Sequence, residues 1–350
     1  MRSDYSVFDG DGHVYELDYE LIEYLDPPLR GKKELLRQPL IPSGDGWHRV
    51  SLGIRSGQGG VISGEITAQK WLGALDEVGM NGTVLYPTLA LNIGQVREPQ
   101  WAVHVARGYN NWLYDRFLKV SPRLKGIAVL PIQSPPDAVE ELRRAVTQLG
   151  MVGALMPGAG VNRLLGDPFY YPIYEAAQEL DVMLSVHTGG LPQLDLRLFD
   201  RLIDVRCLQH PVGQMHQMVH LMFSGVFDRF PTLRMAFLEA GSAWVLCVLE
   251  RMQREYEHWS VLLGELKREP KEHLKSGRLF FEGELDDELL PYIVQVLGDN
   301  VLVFASDFPH FTRPDQISQA IKRFQERRDL SDETKRRILG ENARRLYKIN

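Results

Sequence analysis

Asp11 and His13 stand two residues apart in the stretch Val7-Phe8-Asp9-Gly10-Asp11-Gly12-His13-Val14. On an extended backbone both side chains leave the same face. One carboxylate and one imidazole converging in this way form the first half of a divalent metal site, although alone the pair suits a surface loop equally well. The glycines weaken a strand interior and mark a place where a ligand or another backbone comes close. Further along, His187 closes Val182-Met183-Leu184-Ser185-Val186, and Glu239 closes Arg234-Met235-Ala236-Phe237-Leu238. Glu282 and Glu284 follow Leu279-Phe280-Phe281, and Asp307 and His310 follow Val301-Leu302-Val303-Phe304-Ala305-Ser306. All are hard oxygen or imidazole ligands, or acids and bases. A site shared by Asp11, His13, His187 and Asp307 predicts a divalent ion with an open position, which lowers the pKa of bound water toward ~7. Asp307 could touch such an ion and also shuttle a proton. Glu239 and His310 join it as catalytic candidates, and Glu239 is a further candidate ligand, to the same ion or to a second one. The plainer alternatives are a turn aspartate before Phe308-Pro309 and a salt-bridged Glu239.

The elements that must position these residues alternate along the chain. Strand-like apolar runs begin with Val7–Val14 and recur at 83–86, 126–130, 152–156, 182–187, 234–239, 279–282 and 301–307. Most are separated by segments of helical period, such as 68–78 closed by Gly79 and 136–149 closed by Gly150. Continuous rather than alternating hydrophobicity indicates parallel strands buried on both faces. Eight such units predict an α/β fold, a (β/α)8 TIM barrel, whose chemistry sits at the C-terminal strand ends. The competing open doubly wound sheet lacks a G-x-G-x-x-G turn after its first strand. Residues 15–65 break the alternation. They are rich in Gly, Ser and Pro around 31–64, which predicts a lid insertion within one domain spanning 1–350.

The remaining histidines read as less central. His216 and His220 have helical i,i+4 spacing, but with His210 they read as helix surface or lid lining. His48 belongs to the lid, and His104, His258 and His273 read as helix-surface residues. The Arg-rich tail reads as a solvated helix face. The 350 residues carry a formal charge of −6, with 44% apolar and 25% charged residues. That balance fits a globular core and argues against nucleic-acid binding, which calls for a basic stripe. No 18-residue apolar stretch suggests a membrane span, and Met1-Arg2-Ser3-Asp4 lacks a signal-peptide core. Cys207 and Cys247 show no zinc-finger spacing. A cytoplasmic enzyme acting on a small molecule is expected.

Several segments together resemble the amidohydrolase-related family, in the branch that includes aminocarboxymuconate-semialdehyde decarboxylase. They are Asp11-Gly12-His13, the 123–131 run Arg-Leu-Lys-Gly-Ile-Ala-Val-Leu-Pro, Ser185-Val186-His187-Thr188-Gly189, Gly225–Pro231, Ser306-Asp307-Phe308-Pro309-His310 and Ile338–Ala343. The resemblance implies a distorted metal-dependent barrel and a homodimer, with hydrolases and non-oxidative decarboxylases as the main activities. It makes His13, His187 and Asp307 metal ligands and Asp307 the acid/base. Two departures stand out. The common His-x-His is Asp11-x-His13 here, and Glu239 replaces the histidine that typically opens a His-Gly-Gly segment in the decarboxylases. An ionised Glu239 would repel a substrate carboxylate by roughly several kcal/mol in a dry site. The expectation is therefore a hydrolase of an amide, ester, thioester or lactone bond, with a decarboxylase of an aromatic or unsaturated acid second and a non-catalytic metabolite-binding barrel third. Zinc is the foremost ion, with manganese or iron compatible with the mixed ligands.

Overall fold

Each of the eight apolar runs forms a strand, and every neighbouring pair is parallel in the simple order β1 to β8. The strands are β1 (Asp9–His13), β2 (Thr83–Tyr86), β3 (Leu124–Ala128), β4 (Gly153–Pro157), β5 (Met183–His187), β6 (Met235–Leu238), β7 (Leu279–Glu282) and β8 (Leu302–Val303). This computed structural model describes residues 5–42, 66–189, 198–264, 266–310 and 312–349. Almost every strand residue is buried, as expected of a sheet covered by helices outside and filled by side chains inside.

The barrel is closed by an irregular seam. Hydrogen-bonded pairing of β8 with β7 extends over two residues only, where the sequence predicts a run over 301–307. Beyond Val303 the chain turns toward β1 instead: Gly10 N donates to Phe304 O at 2.9 Å, Asp307 N to Asp11 O at 3.1 Å and His13 N to Phe308 O at 2.7 Å. The glycines of β1 make this approach possible. A Cβ on Gly10 would lie 2.3 Å from a methyl of Val303, and one on Gly12 would lie 2.4 Å from the Trp71 ring. The Val303 methyl, the Phe304 carbonyl and the Trp71 indole, rather than a ligand, thus fill the space that the glycines leave.

The surrounding helices follow their end signals. Thr67 accepts from Lys70 N at the start of Ala68–Val78, and Gly79 ends it at φ 82°. Two prolines open Pro135–Leu149 and Gly150 ends it at φ 66°, the left-handed position that glycine occupies without steric cost. The described part of the segment expected to form a lid, 15–42, carries short helical turns and is held against the helix Pro99–Leu113. Trp101 Nε1 donates to Leu40 O, and Arg107 Nε to Asp26 Oδ2. The rest of that insertion, with His48, lies outside the described residues.

Candidate metal centre

The ends of β1, β5, β6 and the β8 turn deliver five of the sequence-chosen residues to one point. His13 Nε2 lies 3.4 Å from Asp11 Oδ1 and 3.6 Å from Asp307 Oδ1. His187 Nε2 lies 3.3 Å from Asp11 Oδ2 and 3.4 Å from Glu239 Oε2. Ligand atoms of Asp11, His13 and His187 all fall within 4.8 Å of one another, and so do those of His13, Asp307 and His310. Glu239 and Asp307 both have left-handed backbones, at φ 58° and 51°. Such strain in a side chain other than glycine gathers at functional sites.

The donor set fits a cation. His13 Nδ1 sits 2.9 Å from Pro87 O. A carbonyl only accepts, so Nδ1 carries the proton and the Nε2 lone pair faces the centre, the tautomer of a metal ligand held by its second nitrogen. Asp11 Oδ1, His13 Nε2, both nitrogens of His187 and Glu239 Oε2 are buried without a hydrogen-bond partner among the described residues. Polar atoms left bare in this way are costly, and positive charge at their common focus would satisfy most of them. The titration directions agree. Burial, then the facing Asp307 and Asp9 carboxylates, pushes Asp11 well above the usual carboxylate range. Burial and the neighbouring histidines hold His13 well below the imidazole range, and burial lowers His187 against the pull of Glu239 and Asp307. A cation reverses the penalty on the carboxylates and suits the neutral imidazoles.

The frame beneath the centre is Asp9, to which the sequence reading assigned no role. Its Oδ1 accepts from Ser306 N at 2.8 Å and Asp11 N at 3.3 Å, and its Oδ2 from Thr83 Oγ1 at 2.7 Å and Ser306 Oγ at 2.8 Å. One buried carboxylate thus binds β1, β2 and the turn before Asp307. Tyr86 stacks on His187 with ring centroids 5.5 Å apart, and its hydroxyl meets that of Tyr347 from the last helix. Only the alternation Asp9-x-Asp11 could have flagged Asp9. Tyr86 has no sequence signal beyond a strand end.

The other candidates sort clearly. His310 lies 2.8 Å from Asp307 Oδ1 and joins the site. His210, on the helix Leu202–Phe223, reaches within 3.8 Å of Glu239 Oε2, so it lines the site rather than the helix surface. On that helix His216 is exposed, and His220 Nδ1 accepts from Gly166 N, so the two do not chelate. His273, expected on a surface, is fully buried and meets Asp228, because its short helix Pro270–Leu274 packs against the helix Ala243–Trp259. Glu282 accepts from Gly241 N, and burial, Glu284 and Asp11 push it up to about 8.

Residues 84–349 match the family described as Amidohydrolase. A 2-amino-3-carboxymuconate-6-semialdehyde decarboxylase of Dictyostelium discoideum is 25% identical over 73% of this chain and 70% of its own length. A gamma-resorcylate decarboxylase of Polaromonas sp. is 27% identical over 79% of this chain and 86% of its own. A dihydroxybenzoic acid decarboxylase structure from Polaromonas sp., with bound manganese and the inhibitor 2-nitroresorcinol, superposes with a TM-score of 0.70 at 20% identity, over 98% of this chain and 97% of that one. The likeness to that structure is one of fold. These relatives overturn the expectation of a hydrolase in favour of the carboxy-lyase placed second. The physical reason lies in Glu239. The repulsion argument treated it as a bare charge, whereas burial, with Asp307, Asp11 and Glu282 against His187, pushes its carboxyl well above the usual range. A cation at the shared focus would offset the charge that Glu239 keeps, and with it the repulsion of a substrate carboxylate. No helix among the described residues is long and apolar enough to cross a membrane.

Proposed function

We propose that this chain, which belongs to the amidohydrolase family, is a metal-dependent non-oxidative decarboxylase of a small aromatic or unsaturated carboxylic acid. The observation that carries the reading is the extent of its decarboxylase relatives, which reaches 79% of the chain. Asp11, His13, His187 and Asp307 would hold a divalent cation. Manganese takes the place that the sequence reading gave to zinc, because a related structure holds it. When bound, the ion supplies positive charge that would anchor an anionic substrate and hold it beside the acid.

Among the four ligands Asp307 stands apart. Its side chain is 30% exposed, against 2% for Asp11 and none for His13 and His187, so it alone of the four opens outward toward an approaching substrate. We assign it the proton transfer: its carboxyl delivers a proton to the carbon that bears the substrate carboxylate. The carbon–carboxylate bond then breaks, CO2 leaves, and the bonding electrons return to the unsaturated system. Glu239 lies beside His187 and His210, where the cation would offset its charge toward the bound anion. Manganese-loaded protein offered hydroxybenzoic and unsaturated amino acids, beside neutral esters, thioesters and amides, tests the reading. CO2 release from an acid is expected; hydrolysis of a neutral substrate with no CO2 from any acid would overturn it.

A further inference from the structure

Thr88 follows β2 and Pro87 and belongs to no ligand set, yet its hydroxyl touches the proton machinery. Its Oγ1 lies 2.7 Å from Val14 O and 2.8 Å from His310 Nε2. A threonine hydroxyl has one proton, and a carbonyl oxygen only accepts. Two oxygens 2.7 Å apart with no proton between them would repel, so the hydroxyl donates to Val14. The contact with His310 then requires a proton on Nε2, donated to Oγ1. At the other end of the ring, Nδ1 lies 2.8 Å from Asp307 Oδ1.

The ring has no alternative pose that keeps both bonds. Its centroid lies 4.1 Å from that of His13 and 5.4 Å from that of Tyr15. A flip would exchange each nitrogen for a carbon. Both ends are pinned through backbone as well: Thr88 N donates to Glu16 Oε2 and His310 N to Asp307 O. We propose that Thr88 is a positioning residue, which fixes His310 with Nε2 protonated and Nδ1 turned to Asp307, the group assigned the proton transfer to substrate. The geometry stands by itself; only the final delivery rests on the decarboxylase reading.

Nitrogen-15 NMR of histidine-labelled, zinc-loaded protein reads the arrangement without substrate, with the His310 signals identified by their loss in His310→Asn. The wild type should show His310 with Nε2 protonated. Thr88→Ser should keep that pattern and Thr88→Val should lose it. An unprotonated Nε2 in the wild type, or an unchanged pattern in Thr88→Val, overturns the proposal. On an acid that releases CO2, Thr88→Val should lower kcat roughly 10–100-fold, the usual size for a residue that orients a ligand, with KM little changed and Thr88→Ser restoring turnover. Equal turnover in Thr88→Val and wild type also overturns it. If no acid releases CO2 while the His310 pattern holds, the decarboxylase reading fails and the positioning role stands on the NMR result.

Discussion

Replacing Asp9 by alanine tests whether the frame beneath the centre is as important as the ligands above it. Asp9 is fully buried and accepts four hydrogen bonds, two from backbone N–H groups and two from hydroxyls. After Asp9→Ala the hydroxyls of Thr83 and Ser306 can rotate toward other acceptors, but the N–H groups of Asp11 and Ser306 are fixed by the backbone. Each buried donor left unpaired costs about 1–3 kcal/mol. The two together therefore cost roughly 2–6 kcal/mol, reduced by whatever desolvation Asp9 itself suffers, since burial pushes its carboxyl upward. We expect a net loss of about 2–4 kcal/mol by urea unfolding. Because the donors belong to Asp11 and to the residue before Asp307, metal retention through dialysis should fall as well. Asp9→Asn should lose less stability, as its amide oxygen still serves both N–H groups. A loss below about 1 kcal/mol for Asp9→Ala, with full metal content, would refute the claim that this carboxylate frames the site.

Three other outcomes follow from the same geometry. Chelation should abolish CO2 release and manganese should restore it, while His187→Ala should lose most bound metal and keep its far-ultraviolet circular dichroism; full occupancy in that variant would remove His187 from the site. Asp307→Asn should keep metal but lose roughly 10²–10⁴-fold in turnover, because an amide keeps an oxygen ligand and cannot give up a proton in its place; near-normal turnover would leave Asp307 a ligand only. Glu16 is buried, accepts from Thr88 N and Ala90 N, and burial pushes it up to about 7 from 4.5. With the folded pKa above the unfolded one, the native state binds the extra proton, so this group's contribution to stability is greatest below about 4.5 and falls as pH rises to about 7. Glu16→Gln should flatten the decline of unfolding free energy across that window, and an unchanged slope would contradict the assignment.

The alternating hydrophobic runs already determined a great deal. Continuous apolar runs of four to eight residues, most of them followed by a helical period, admit few architectures, and each of the eight strands overlaps its predicted run, β8 over two residues only. Because a barrel brings its strand ends to one face, Asp11, His13, His187, Glu239, Asp307 and His310 are legible in the sequence as one group. Three things needed the tertiary structure. The charge of Glu239 depends on burial and on neighbours from other strands, which push its carboxyl well above the usual range, so its sequence context alone overstated the repulsion. The proton on His310 is set by a hydroxyl 222 positions away, and the posture of Asp11 by Ser306 and Thr83 through Asp9. Strand period decides which residues face the same way, because that is local backbone geometry. Hydrogen-bond partners and solvation arise only when distant segments close on one another, and it is they that decide which of these acids and bases carries a proton.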